Sequence, residues 1–333
     1  MTVPAASTVG AVVIGRNEGA RLIGSLNSLL GSCKGVVYVD SGSTDGSVAA
    51  AMELGASVVH LDLSTPFTAA RARNAGFKRL VELHPSIEMV QFVDGDCEVV
   101  PGWLEAATSF LYDRKDVAVV CGRRMERHPT SSIYNAMCDH EWNTPVGPAD
   151  ACGGDFLIRT EAFRKVQGFS DGQIAHEEPE LCGRLRKAGY NIWRIKEPMT
   201  LHDAAIHRFG QFYTRNRRAG FGISQALLQS NLDNDPGAVA IIRRALIWAV
   251  LIPFATAVAV LLVGSLGLVL LTAYPIQVWR QALMDKHGAG GTIAHRLQVA
   301  GLYMLGKFAE AHGAIEFLAK DVTKTRITAI YYK

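Results

Sequence analysis

The chain has 333 residues, enough for one large domain or two ordinary ones, and at 49% hydrophobic residues it can fill a core with apolar side chains to spare, which excludes a wholly disordered protein. Its 34 basic and 31 acidic residues leave a net charge of +3, so no global field points to nucleic acid, and none is expected as a partner. The six cysteines at 33, 97, 121, 138, 152 and 182 form no CxxC pair and no compact framework, which predicts reduced thiols in a cytosolic compartment.

The N-terminus, "MTVPAASTVGAVVIG", lacks a basic segment followed by an apolar one, so no export signal is expected, and its first apolar run predicts a strand. From residue 9 to 100, short β-branched runs alternate with helical stretches. "VGAVVIG" is followed by a helix over 19–31, "GVVYVD" by a helix after Asp45, "ASVVHLD" by a helix near 67–83, and then comes "EMVQFVD". Such alternation is the signature of parallel βαβ units, whose strands are buried on both faces and read as continuous apolar runs. Ligands of such sheets bind beyond the carboxyl ends of the strands. Polar residues collect at those ends here: Arg16, Asn17 and Glu18; Asp40 to Asp45; Asp94 and Asp96.

Residues 101–225 predict a mixed pattern: a helix over 102–112, the strand "VAVVCG", a Gly- and Pro-rich loop over 143–154, "FLIRTEAFRKVQGF", an acidic helix over 177–188 and the strand "NIWRI". Loops as long as 143–154 are commonly functional in compact domains. The α/β domain is placed at 1–228 and a linker containing "SNLDNDPGAV" at 229–242.

Between Ala245 and Trp279 the chain carries no charge over 35 residues. One spanning helix needs about 20 apolar residues, so this run is long for one span and short for two. Arg243 and Arg244 precede it and Arg280 and Lys286 follow, which puts both ends on the cytoplasmic side. A transmembrane or re-entrant helical hairpin over 243–283 is therefore expected, turning near Gly264 to Gly267. A buried helical pair in a soluble protein is the alternative. The remaining segment, 284–333, predicts an amphipathic helix over 293–320, lying at the membrane interface or packed on the hairpin, and a tail ending "ITAIYYK".

Two stretches carry the candidate chemistry. In "QFVDGDCEVVPGW" the carboxylates Asp94 and Asp96 leave a strand one residue apart; they can be turn residues, or they can bind a ribose hydroxyl and a hard cation such as Mg2+ or Mn2+. In "HEEPELCGRLRKAGY" the acidic residues Glu177, Glu178 and Glu180 open a helix, which suits simple dipole capping, or a general base projecting into a cleft.

With these residues in view, the chain resembles family-2 nucleotide-sugar glycosyltransferases of GT-A fold over about residues 9–220. "VVIGRNEGARL" is similar to the family's opening strand and Asn-Glu turn, and "VVYVDSGSTDGS" to its Asp-Gly-Ser-Thr-Asp-Gly loop. "ARARNAG" resembles its Ala-Arg-Asn-x-Gly stretch and "VDGDCEVVPGWL" its Asp-x-Asp strand end. "GGDFLIRTEAFRKVQGF" resembles its Gly-Gly acceptor loop and "EEPELCGRLRKAGY" its Glu-Asp-x-Asp-Leu motif. Each motif is weak alone; six in the family's order are specific.

The resemblance implies that Arg16, Asn17, Glu18, Asp40 and Ser41 line the nucleotide, with Arg73 and Asn74 near it. Asp94 would meet the ribose or the metal, and Asp96 would be the metal ligand. Glu178 would be the catalytic base with Glu177 beside it, and Gly153, Gly154 and Asp155 would lie near the sugars. His202 would complete the metal shell or touch the diphosphate, its alternative being a structural histidine. Arg215 or Arg218 would hold the diphosphate, with anionic lipid as the alternative partner of that basic cluster. Trp142 and Trp103 can stack on sugars or belong to the core. Two departures stand out: Ser41 replaces a second aspartate that many members place against the uracil, and Glu178 replaces an aspartate.

The expected activity is thus an inverting, divalent-cation-dependent transfer of a sugar from a nucleotide-sugar, such as a UDP-sugar. The acceptor would be a hydroxyl of a glycan or polyprenyl-diphosphate-linked molecule at the cytoplasmic face of the plasma (inner) membrane, as in exopolysaccharide or cell-envelope synthesis, with membrane lipids as partners. Two other classes compete. A sugar-nucleotide nucleotidyltransferase would carry a Gly-rich phosphate loop with Lys after the first strand, which "GRNEGARL" does not; a non-catalytic sugar-binding scaffold would need no base.

Overall fold

The computed structural model describes residues 8–229 and 236–324. The first seven residues, most of the linker sequence and the "ITAIYYK" tail lie outside the described residues. Two compact units are formed: residues 1–128 with 141–204, and residues 129–140 with 205–333.

The first unit opens with β1 (Val9–Gly15), α1 (Ala20–Asn27), β2 (Val36–Asp40), α2 (Ser47–Glu53), β3 (Ser57–His60), α3 (Ala69–Leu83) and β4 (Met89–Asp94). These strands pair in parallel, β3 on β2, β2 on β1 and β1 on β4. The valines of β1, β2 and β4 are buried, because helices cover both faces of a parallel sheet, while those of the edge strand β3 are half-buried. The registers align Gly15 with Asp40 and Ile14 with Asp94. The polar strand ends read from the sequence therefore share one edge.

After β5 (Cys97–Val99) and α4 (Trp103–Asp113) the sheet becomes mixed. β6 (Val117–Glu126) is followed by α5 (Ile133–Glu141), β7 (Gly147–Pro148), β8 (Phe156–Arg159), α6 (Thr160–Lys165), α7 (Glu177–Lys187) and β9 (Asn191–His202). β8 runs antiparallel between β4 and β6, and the spatial order is β3-β2-β1-β4-β8-β6-β9-β5, with β7 on β9. Both β6 and β9 continue well past their expected apolar runs. The extensions pair Arg124 with Thr200 and Glu126 with His202, so polar residues at the far end of β6 are carried on strand backbone rather than on loop. Trp103 is fully buried, and its Nε1 donates to Gln91 Oε1 at 2.8 Å. It is a core residue.

The second unit is helical. Its long α8 (Phe209–Gln229) is anchored to α5 where Ser132 Oγ donates to the Ile206 carbonyl at 2.5 Å and Ile206 N donates to Asn135 Oδ1 at 3.1 Å. From α9 (Pro236–Leu246) the chain runs through one π-helical turn (Ile247–Leu251), α10 (Ile252–Val263), a 3-10 segment (Gly264–Thr272) and α11 (Ala273–Leu283). Gly264, at φ 66°, reverses the direction. Gly267 then lies so close to the backbone of Ala259 and Val260 that a β-carbon would stand 2.4 Å from Val260 N. The stretch Gly237–Leu283 is apolar and long enough to cross a membrane, and only 6% of its most apolar 18-residue window is buried.

The last helix, α12 (Ile293–Val322), packs on protein. Phe317 meets Phe221 of α8 edge-on at 5.3 Å, Arg217 of α8 pairs with Glu316 at 2.6 Å, and Phe308 stacks on Tyr274 of α11. Of the two environments considered for this helix, its inner face takes the protein one.

Candidate active site

The site is built around Arg73, a buried guanidinium on α3. Its Nη1 lies 2.9 Å from Glu177 Oε1 and 3.0 Å from Glu178 Oε1, and its Nη2 lies 2.8 Å from Asp94 Oδ1. Arg73 Nη2 also donates to the Gly154 carbonyl at 3.4 Å. One cation thus ties the end of β4, the Gly-Gly loop and the first turn of α7 together. A guanidinium suits this place because it is always charged and offers donors in several directions.

α7 opens at His176, whose φ of 68° is left-handed, so the chain turns sharply before Glu177. Of the three acidic residues in this first turn, Glu180 is committed to Arg184 at 2.7 Å and serves the helix itself. Glu178 is only 14% exposed. Burial, and then the charge of Glu177, push its carboxyl up to about 7, while Arg73 pulls it down and Asp94 adds to the rise. A carboxyl in that range suits a general base near neutral pH.

Asp94 lies between two guanidiniums: Arg73 on Oδ1, and Arg124 of β6 with its Nη2 3.2 Å from Oδ2. Arg124 also reaches Cys97 Sγ at 3.2 Å and Asp155 Oδ2 at 3.4 Å, and its guanidinium lies over the Trp142 ring at 5.0 Å. Sequence reasoning missed Arg124. The signal was there, since the apolar run "VAVVCG" goes straight on into "RRMER" without a turn residue, but a strand's polar end is indistinguishable from a surface loop until its pairing partner is known.

Asp155, expected near the sugars, is fully enclosed. Its Oδ1 accepts from the Asp94 amide at 3.0 Å, and its Oδ2 accepts from Thr200 Oγ1 at 2.7 Å. Its place is under Asp94 and Arg124, which it holds. Gly154 has no room for a side chain: a β-carbon there would stand 2.5 Å from Asp94 Oδ2. Gly153 is beside Arg124 but less confined.

A second group lies at the start of β5 and the end of β9. His202 Nε2 is 3.5 Å from Asp96 Oδ2, and both side chains are buried. Among the described residues His202 Nδ1 has no partner at hydrogen-bond distance, Glu126 Oε2 being 3.7 Å away, and Trp142 packs edge-on against the imidazole at 4.6 Å. Burial, then the charge of Arg124, hold the imidazole below its usual range, so it is the neutral form that can ligate. Asp96, Cys97 and His202 are close enough to share one ion, as are Asp94, Cys97 and Asp155. Burial keeps the Cys97 thiol far above its usual range and hence protonated, while Asp94 and Asp155 are engaged by Arg124. The pair that fits a hard divalent cation is therefore Asp96 with His202, an oxygen donor and an imidazole.

The residues implied for the nucleotide form the rim at the ends of β1 and β2. Asp40 is buried and accepts from the Gly42 and Ser43 amides at 3.0 and 3.1 Å and from Tyr38 Oη at 3.1 Å. Ser41, also buried, donates its amide to the Gly15 carbonyl. Asn17, at φ 57°, accepts from Thr44 N at 2.7 Å, and its amide donates to Ser43 Oγ. These side chains shape the 41–45 loop. Arg16 lies over the Phe67 ring at 5.1 Å, and Glu18 pairs with Arg21 at 2.7 Å. Asn74 splints the turn after α6, donating to the Phe169 carbonyl and Asp171 Oδ1 and accepting from Phe169 N. Arg215 and Arg218 are on α8 in the second unit and are not among the residues that the first unit gathers.

A sheet that is parallel in its first half and mixed in its second, with acidic residues at the shared strand edge, is the GT-A architecture. Residues 11–166 match the family described as Glycosyl transferase family 2, and the protein is a glycosyltransferase. Among solved structures, the mannosyltransferase PcManGT from Pyrobaculum calidifontis, in complex with GDP-Man and Mn2+, is similar at 17% identity. The likeness covers 95% of this chain and 87% of that one, with a TM-score of 0.54. S. aureus TarS 1-349 is similar at 16% identity over 93% of this chain and 91% of that one, with a TM-score of 0.47. GalNAc-T7, crystallised with UDP, GalNAc and Mn2+, is 14% identical over 56% of this chain and 42% of that one, so the chain spans less than half of that protein, at a TM-score of 0.45. At such identities the likeness defines fold. No curated protein sequence matches the chain.

Proposed function

We propose that the protein transfers one sugar at a time, with inversion, from a nucleotide-sugar to a hydroxyl of a glycan or polyprenyl-diphosphate-linked acceptor, working at the cytoplasmic face of a membrane. The observation that carries this reading is the Arg73 bridge. It holds Glu178, the one carboxylate pushed up to about 7, within the same guanidinium's reach as Asp94 at the donor edge.

In this reading Glu178 takes the proton from the acceptor hydroxyl as its oxygen attacks the anomeric carbon in line, and the nucleoside diphosphate leaves from the opposite side. Asp94 accepts from a ribose hydroxyl while Arg73 and Arg124 fix its two oxygens. The rim at Arg16 to Glu18 and Asp40 to Ser41 receives the base. Asp96 and His202 would hold Mg2+ or Mn2+, a cation that supplies positive charge where the diphosphate departs. PcManGT, whose structure is in complex with GDP-Man and Mn2+, supports that assignment. The apolar stretch Gly237–Leu283, whose uncharged run 245–279 is flanked by exposed Arg243, Arg244, Arg280 and Lys286, supports membrane attachment and an acceptor that lives at the bilayer.

Purified protein assayed against a panel of nucleotide sugars, with and without Mn2+, tests the reading. The expected result is metal-dependent release of nucleoside diphosphate and a product of inverted anomeric configuration by NMR. Turnover that needs no metal and survives Asp96→Ala, or a product of retained configuration, overturns it.

A further inference from the structure

The apolar hairpin of the second unit shows how deep it goes. Helical segments follow one another from Pro236 to Leu283 with no coil between them, and the winding breaks only at Gly264, φ 66° and ψ −149°, where α10 gives way to the 3-10 segment. Around the reversal, Gly264 N donates to the Val260 carbonyl. The threonines are satisfied inside their own helices, Thr256 Oγ1 on the Ile252 carbonyl and Thr272 Oγ1 on the Val269 carbonyl. The Tyr274 hydroxyl donates to the Trp248 carbonyl in the π-turn, where the wider winding leaves that oxygen available. A lipid-exposed turn normally has to reach water because its backbone groups lose their partners. Here the Gly264 amide keeps the Val260 carbonyl as its partner, and the Leu261–Leu266 tip offers no basic or aromatic side chain to a second headgroup layer.

The side chains agree. The tip is the most exposed and most apolar part of the hairpin: Leu261, Leu262 and Leu266 are 86%, 77% and 75% exposed, and no charged residue occurs between Arg244 and Arg280. At the base, Trp248 and Tyr274 pair at 5.6 Å, and beyond them stand exposed Arg243, Arg244, Arg280 and Lys286. Aromatic rings backed by basic residues match the headgroup layer of anionic lipid. From Trp248 to the tip the helix extends about 22 Å at 1.5 Å per residue. The hydrocarbon core is about 30 Å thick, so from that level the tip stops short of the far side.

We infer that the hairpin is a re-entrant wedge: both ends lie in the headgroups of one leaflet, anionic lipid is bound by the four basic residues, and the Leu261–Leu266 tip ends inside the hydrocarbon. This rests on the membrane-attached reading above and decides the depth that reading leaves open. The partner is lipid, not a second protein.

The test uses the full chain carrying Ser265→Cys or, separately, Leu262→Cys, with Lys286→Cys as a reference at the base. Right-side-out and inverted membrane vesicles are treated with a charged, membrane-impermeant maleimide, and modification is located by mass spectrometry so that the native cysteines do not confuse it. The expected result is labelling of position 286 from one face only. Positions 262 and 265 should reach less than a tenth of their detergent-solubilised labelling from either face. Labelling of 265 or 262 from the face opposite 286 means a full span, and labelling from the same face means a surface-lying segment; either overturns the wedge. Release of the protein by alkaline carbonate would overturn membrane attachment itself, whereas retention with far-side labelling overturns only the wedge.

Discussion

The guanidinium of Arg73 stands 3.0 Å from Glu178 and 2.8 Å from Asp94, joining the residue proposed as base to the residue proposed for the ribose through one buried side chain. Three carboxylates around a single arginine leave local negative charge in excess, and that excess, with burial, raises Glu178.

The rate should therefore follow the deprotonated form of Glu178, with kcat/KM rising through pH 7 and levelling above it. Glu178→Gln should lower kcat by roughly 10²–10⁴-fold while leaving donor affinity within a few-fold. Arg73→Gln removes the charge that holds the Glu178 carboxyl down, so the rising limb of its profile should move to higher pH. Steady-state pH profiles of the three proteins check this.

The same shift has a stability consequence. The raised carboxyl keeps a proton in the folded state that the unfolded chain gives up above about 4.5, so Glu178 makes the fold less stable as pH rises from about 4.5 to 7. Glu178→Gln lacks that loss. Its Tm should exceed that of the parent at pH 8, with the gain over the parent smaller at pH 4, read by calorimetry.

Arg124 touches Asp94, Asp155 and Cys97, so Arg124→Ala would leave the buried Asp155 without its cation and Asp94 with Arg73 alone. Breaking a buried pair in this way costs about 3–5 kcal/mol. Arg124→Lys keeps the charge but not the fork, and should recover part of the stability and little of the activity. Urea unfolding alongside the transfer assay separates the two.

For the metal, Asp96→Asn and His202→Ala should each weaken Mn2+ binding by tenfold or more, measured by electron paramagnetic resonance of free Mn2+. Asp94→Asn, whose oxygens face arginines, should change that affinity much less while raising the KM for the donor.

At Gly154, alanine would put a methyl 2.5 Å from the Asp94 carboxylate. The strand above it need not move, so Gly154→Ala should unfold at nearly the parent urea concentration but lose on the order of 10²-fold in kcat/KM through displacement of Asp94.

Much of this protein is determined by local sequence. The βαβ alternation over residues 9–100, the strand ends at Arg16, Asp40 and Asp94, the acidic start of α7 and the uncharged stretch 245–279 depend on periodicity and on neighbours a few residues apart, so they can be read along the chain. Tertiary structure decided which of these polar residues come together. Asp40 and Asn17 are occupied with the 41–45 loop and Asn74 with the turn after α6, Asp155 holds Asp94 from beneath, and Arg124 joins the site from a strand whose extension pairs with β9. Arg73 and Glu178 are 105 positions apart, and His202 lies 106 positions after Asp96. Ion pairs and ligand pairs form across space, and burial, which sets the charge state of Glu178 and His202, is a property of the packed fold rather than of any stretch of sequence.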